Sequence, residues 1–173
     1  VYPETGFNMI KVLEKAGVKI NYNPNQTCCG QIAFNAGFWD DAKKLGEKFI
    51  KDFDNGRMIV GPSASCIGYV RNGFDELFYN GAYHNEYKQL QRSIFEITDF
   101  LVNVVKVTDL GSVFEHKVTF HDSCAALREY KLGNEPRILL KNVSGLELVE
   151  MENCHECCGF GGTFAIKFEP IST

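Results

Sequence analysis

The sequence has no surplus of positive charge, since 18 Lys and Arg stand against 22 Asp and Glu for a formal net charge of −4. Neutralising a phosphate backbone takes a basic face, so a nucleic-acid partner is not expected. Long apolar runs are also missing. The best stretch, Phe100 to Lys106, is interrupted by Asn103 and Lys106, far short of the roughly 18 residues of a membrane span. The opening Val-Tyr-Pro-Glu-Thr-Gly carries neither the basic nor the apolar region of a secretory signal, which makes the cytoplasm the expected compartment. No low-complexity segment and no Pro/Gly/Ser linker divides the chain. What remains is ordinary for a folded domain: 45% of the 173 residues are hydrophobic and 13% aromatic, enough to bury a core and to set disorder aside.

The unusual feature is seven cysteines, four of them in two adjacent pairs, Cys28-Cys29 and Cys157-Cys158. Neighbouring cysteines bridge each other only with strain, and an odd count suits a secreted disulfide framework poorly. In a reducing compartment such groups more often bind metal or do thiol chemistry.

The chain repeats itself around these pairs. Ile10 to Ile20 aligns without a gap on Ile138 to Leu148, at an offset of 128, and in each copy an apolar-periodic segment runs to a glycine, Gly17 or Gly145. That pattern predicts a helix ended by a left-handed cap and followed by a short strand. Each copy then reaches Cys-Cys-Gly. Two more strands are expected at Arg57–Val60 and Lys117–Phe120, each leading through a short polar loop to a single cysteine, Cys66 or Cys124. Apolar residues at helical steps predict helices over Phe38–Phe53 and, without a break, over Tyr83–Val104. Alternating helices and β-branched strands point to an α/β fold with two pseudo-repeated Rossmann-like halves, short parallel strands and flanking helices. The cysteines would lie on loops at the strand carboxyl ends, where such sheets bind ligands. The halves are expected at residues 1–80 and 81–173. By the repeat, the first half lacks a cysteine that would stand about five positions before Val1, and the second lacks one near position 195. The first half is thus expected to be truncated at its N-terminus and the second at its C-terminus.

Several soft thiolates from separate loops are the donor set of an iron–sulfur cluster. Thr27-Cys-Cys-Gly-Gln31, Pro62-Ser-Ala-Ser-Cys66, His121-Asp-Ser-Cys124 and Cys157-Cys-Gly-Phe-Gly-Gly-Thr-Phe164 resemble the CCG cysteine-rich domains of the lactate utilization protein A and glycolate oxidase iron–sulfur subunit family. That family is related to the CCG-containing subunit of heterodisulfide reductase. The resemblance covers nearly the whole chain. It implies a cytoplasmic iron–sulfur subunit that works with partner subunits to oxidise L-lactate, or a related 2-hydroxy acid such as glycolate, to the 2-oxo acid. It also implies [4Fe–4S] clusters, non-cubane in the related reductase, on Cys28, Cys29 and Cys66 for one site and on Cys124, Cys157 and Cys158 for the other. Cys66 is followed by Ile67-Gly-Tyr69 where the reductase has a second cysteine. With a ligand short at each site, residues 1–173 alone are not expected to hold an intact cluster.

Other readings stand beside this one. Buried structural thiols behaving as small hydrophobes are the plainest. A zinc module would draw on Cys124, Cys154 and Cys157 with His121 or His155. A disulfide reductase would act through the vicinal thiols themselves. Cys154 has no counterpart in the first half. His121 beside Asp122 invites a general-base role, but a hydrogen bond to a neighbouring loop is commoner, and no residue is singled out for catalysis or for holding lactate. The glycines of 159–162 lack the third glycine of a dinucleotide fingerprint, because position 164 is Phe, and close packing around the second cysteine pair accounts for them better.

Overall fold

The computed structural model describes residues 2–172. Helix α1 (Pro3–Lys15) begins on a proline, which loses nothing at a position whose N–H has no helical partner. Its Leu13 is buried with Phe100 and Leu101 in the smaller of two apolar clusters. The helix ends as expected at Gly17, with φ of 78°, and the Val18 N–H returns to the Leu13 carbonyl at 2.9 Å. After a long loop come the short α2 (Gln31–Asn35) and α3 (Trp39–Phe53), whose inward residues Ala42, Gly46 and Ile50 follow the helical period.

Strand β1 (Ile59–Gly61) leads into α4 (Ala64–Gly68), which continues through a π-helical turn at Tyr69–Gly73 into α5 (Phe74–Phe78). Helix α6 (His84–Ser93) delivers the chain to β2 (Ile94–Glu96), parallel to β1 with Ile59 opposite Ile94. Helix α7 (Ile97–Asp99) then widens into a π-helical segment at Phe100–Val105. A second parallel pair of strands follows. Strand β3 (Lys117–Val118) is followed by a π-helical segment at Ala125–Tyr130, by α8 (Glu135–Lys141) and by β4 (Glu147–Leu148), parallel to β3. Two short helices, α9 (Thr163–Lys167) and α10 (Glu169–Ser172), follow. The architecture is therefore mixed, with helices and short parallel strands.

The larger apolar cluster lies under β1 and β2 and holds Phe74, Phe78 and Tyr87, all at 0% exposure. Phe74 meets Tyr69 and Phe49 edge-on, each at 89°, the arrangement ring quadrupoles favour. Most of the buried apolar side chains belong to residues 13–101. The part after Val113 is held by other means, described below.

Two expectations need correction. The segment Tyr83–Val104 is two helices with strand β2 between them. Ile94, at 0% exposure, keeps the helical phase although it is extended. A strand buried on both faces shows no alternation, so periodicity could not separate it from the helices. The break is enforced by Glu96, whose carboxylate accepts from the Thr98 and Asp99 N–H groups at 2.7 and 3.2 Å and starts the next helix. In addition, no strand forms directly after Gly17. Val18 and Ile20 pack on the smaller apolar cluster without joining a ladder.

Candidate functional site: two sets of cysteine thiols

The loop from Val18 to Thr27 is tied to α3 at two points. Asn23 Nδ2 donates to the Asp52 carbonyl at 3.1 Å, and Lys48 Nζ to the Asn25 carbonyl at 2.6 Å. This places Cys28 at the surface and Cys29 in the larger apolar cluster. Gly30 follows with φ of 90°, and a Cβ there would lie 3.2 Å from the Ala42 carbonyl oxygen. Its N–H points back to Cys28 Sγ at 3.5 Å. Cys66 arrives from another direction, in the first turn of α4, whose N-cap Ser63 accepts from the Cys66 N–H at 3.5 Å. The two thiols meet. A hydrogen bond from Cys29 draws the Cys66 thiol down to about 6 against the opposing effect of burial, and Ser63 adds to the lowering. Cys29 is pushed up, by Cys66 first and by burial second. In this pair the Cys29 thiol keeps its proton and donates a hydrogen bond to Cys66 Sγ.

The second set has the same kinds of residue with the polarity of the pair reversed. Cys124 opens the Ala125–Tyr130 helix, where Ser123 Oγ accepts from the Ala126 N–H at 3.2 Å. Cys157 and Cys158 lie exposed on the loop after β4. The Gly159 N–H, and then the Cys124 thiol, lower the Cys157 thiol. Cys124 is raised, chiefly by Cys157. Gly159 has φ of 78°, and a Cβ on it would sit 2.0 Å from the Ser172 carbonyl oxygen, so only glycine fits. The structure thus pairs Cys29 with Cys66 and Cys124 with Cys157, with Cys28 and Cys158 within electrostatic reach of their sets.

The helices bearing Cys66 and Cys124 cross at Gly68, where an added Cβ would lie 3.0 Å from the Tyr130 backbone nitrogen and 3.3 Å from Glu129 Cβ. Gln31 spans the same junction, accepting from Ser65 Oγ at 2.6 Å and donating to Glu129 Oε2 at 3.1 Å.

The model of the CCG family, a cysteine-rich domain, matches residues 1–71 and 118–173, which contain both vicinal pairs and both helix-borne cysteines. The chain belongs to the CCG family. Among its curated relatives, Lactate utilization protein A 2 of Bacillus cereus is 38% identical over 172 residues, which is 99% of this chain and 71% of the relative. Lactate utilization protein A of Oceanobacillus iheyensis is 40% identical over 173 residues, covering 99% of this chain and 70% of the relative. Lactate utilization protein A 1 of Bacillus anthracis is 37% identical, at 99% and 71% coverage. No solved structure matches the chain.

In this CCG protein a polar network holds the second cysteine loop in place. Asp122, two residues before Cys124 and 4% exposed, takes both guanidinium arms of Arg137, Nη1 to Oδ1 at 2.9 Å and Nη2 to Oδ2 at 2.6 Å. Arg137 also reaches Glu150 through Nε at 2.7 Å. The guanidinium holds the Asp122 carboxyl below its usual range. The Asp122 N–H donates to the Cys154 carbonyl at 2.9 Å, and His121 Nε2 meets the Glu156 carbonyl at 2.9 Å. Loops 121–124 and 150–158 are thereby fastened together. Cys154 faces this network, with Arg137 Nη2 3.7 Å from its Sγ, so the structure does not gather the Cys124, Cys154 and Cys157 set of a zinc module.

Sequence reasoning missed Arg137, Gln31 and the two serine caps. The caps carried a signal, since Ser63 and Ser123 stand three and one positions before their cysteines, where an N-cap belongs. Arg137 carried none. In the same CCG chain a separate polar cleft of about 410 Å³, lined by Arg71, Asn72, Asp99, Tyr130, Lys131, Leu132 and Glu135, contains no cysteine. Among the described residues no helix is long and apolar enough to cross a membrane.

Proposed function

We propose that the protein is the iron–sulfur electron-transfer component of a cytoplasmic system that oxidises L-lactate, or a related 2-hydroxy acid such as glycolate, to the 2-oxo acid. The observation that carries this reading is the gathering of the six cysteines into two like sets, each a vicinal pair with one helix-borne thiol. The donor chemistry fits. Each set offers a lowered thiol, Cys66 by the Cys29 hydrogen bond and Cys157 by the Gly159 N–H and then Cys124, and in the first set the Gly30 N–H is directed at Cys28. Such bonds stabilise negative charge on sulfur and raise the potential of a bound cluster.

In this reading Cys28, Cys29 and Cys66 supply three of the ligands of one [4Fe–4S] cluster, and Cys124, Cys157 and Cys158 supply three of the ligands of the other. Bound clusters supply one-electron storage and transfer. The residues of this chain do the rest: the capped helices fix Cys66 and Cys124, Gly30 and Gly159 turn the vicinal pairs towards them, and the Gly68 crossing sets one site against the other. The two halves of the repeat are taken as residues 1–80 and 81–173, with the β1–β2 ladder running across the boundary. The names of the relatives support lactate as the substrate class, and partner subunits perform the hydroxy-acid chemistry.

The test is iron and acid-labile sulfide content after purification without oxygen, on the natural protein and on the paired substitution Cys157→Ser with Cys158→Ser. Iron and sulfide in several-fold molar excess are expected, with about half lost in the double variant. Full iron in that variant, or zinc in place of iron in the natural protein, sinks the assignment.

A further inference from the structure

Outside the two thiol sets, Asp122, Cys154 and His155 bring one ligand atom each within 4.8 Å of the others. They come from three different donor classes, a carboxylate oxygen, a thiol sulfur and an imidazole nitrogen. Asp122 and Cys154 are buried, at 4% and 9% exposure, whereas the His155 side chain is 66% exposed and caps the group from the solvent side. We propose that these residues form a separate binding site for a borderline divalent cation of the zinc class, with three protein ligands and an open fourth position facing water.

Four observations support this. First, the spacing is close to what is needed. Bonds of about 2.0–2.3 Å to a tetrahedral zinc put ligand atoms roughly 3.3–3.8 Å apart, and His155 Nδ1 already lies 3.0 Å from Asp122 Oδ2. Second, the frame is rigid where it must be, because the Asp122 N–H bond to the Cys154 carbonyl at 2.9 Å locks two of the ligands in register. Third, the ligating carboxylate has the outer partner such sites use, Arg137, which orients both Asp122 oxygens and is itself paired with Glu150. Fourth, the charge closes. With a neutral thiol and imidazole the group carries one net negative charge from Asp122, Glu150 and Arg137. A divalent cation bound with loss of the thiol proton brings it to zero, which a buried site favours. On binding, the Cys154 proton goes to solvent, and the His155 proton moves from Nδ1 to the exposed Nε2, freeing Nδ1 to ligate.

The mixed S, N, O set suits zinc and its spectroscopic stand-in cobalt(II) better than a hard cation such as magnesium. The site does not depend on the iron–sulfur reading, since it shares no ligand with either thiol set.

Cobalt(II) titration of the metal-free chain tests it, read by the sulfur-to-cobalt charge-transfer absorption. His155→Ala, at an exposed position, should leave the fold intact. The natural chain is expected to bind one more cobalt ion per chain than His155→Ala, or to bind that ion at least tenfold more tightly. The difference should persist when Cys124, Cys157 and Cys158 are all serine. Equal cobalt uptake and affinity in the natural chain and His155→Ala overturns the proposal. So does a difference that vanishes in the triple-serine background, because the ion would then belong to the second thiol set.

Discussion

Replacing Arg137 by Met removes the guanidinium that grips Asp122 while keeping most of the side-chain volume, so the change isolates the ion pair. The Asp122 side chain is 5% exposed and that of Arg137 13%. Leaving one member of such a pair behind costs about 3–5 kcal/mol. Asp122 retains His155 at 3.0 Å and the Cys154 thiol, which places the expectation at the lower end, about 3 kcal/mol at pH 7. For a chain of this size that corresponds to a fall in the urea midpoint of about 1–2 M. The pH dependence has a definite sign. Asp122 titrates below its ordinary value in the folded protein, so the pair's stabilisation is complete above the unfolded value of about 4 and is lost as pH falls through the lower folded value. In Arg137→Met the buried carboxyl instead rises and takes up a proton earlier, which relieves its cost. The stability gap between the two proteins should therefore narrow as the pH drops from 7 towards 4. Adding Asp122→Asn to Arg137→Met should recover part of the loss, because no buried charge is then stranded. Urea unfolding of the reduced, metal-free proteins measures all of this. A loss under about 1 kcal/mol at pH 7, or a gap that does not change with pH, would show that the loops are held by something else.

Gly68→Ala gains helix propensity but forces a methyl against Tyr130 and Glu129. The net effect should be destabilising by about 1–2 kcal/mol in thermal unfolding, whereas a stabilised variant would mean that the helices can part without cost. Phe74→Ala empties a fully enclosed site and should cost about 3–5 kcal/mol in urea, with a value near 1 counting against the packing described. Tyr130→Phe removes the hydroxyl that donates to Asp99 at 2.5 Å and accepts from the Glu96 N–H at 3.0 Å, for an expected loss of about 1–3 kcal/mol by the same assay. Cys66 should alkylate with a rate that rises through about pH 6 in the metal-free protein, while Cys29 stays protonated and slow. Reactivity of Cys66 that climbs only above pH 8, followed residue by residue by mass spectrometry, would contradict the thiol pairing.

How legible these features were depended on whether they recur. The pairing of Cys29 with Cys66 and of Cys124 with Cys157 lay within groupings that the repeat suggested, and Gly17 ends its helix as the pattern indicated, whereas α8 already stops at Lys141 and Gly145 lies in a turn beyond the Ser144 bridge. Strand β2 was hidden because both its faces are covered and Ile94 stays in helical phase. Arg137 was invisible for another reason. It lies 15 residues from Asp122 and 13 from Glu150, and ion pairs at such separations leave no periodic trace. The serine caps lay between. Their residue type and position were informative, but only once the helices they begin had been placed. The first thiol set rests on an apolar core that composition foretells, whereas the second rests on charged groups whose partners only the folded chain reveals.

The contact at Gly68 has a bearing on the relation between the two sets. No side chain of residue 68 stands between the backbones there, so the spacing of the two thiol sites is gauged by main chain against main chain rather than by a rotamer. A Cβ added at residue 68 would meet the Tyr130 nitrogen at 3.0 Å and so press the two helices apart. Residue 68 is therefore the shim of the molecule: it tunes distance, while Gly30, Gly159 and the nearby charges tune chemistry.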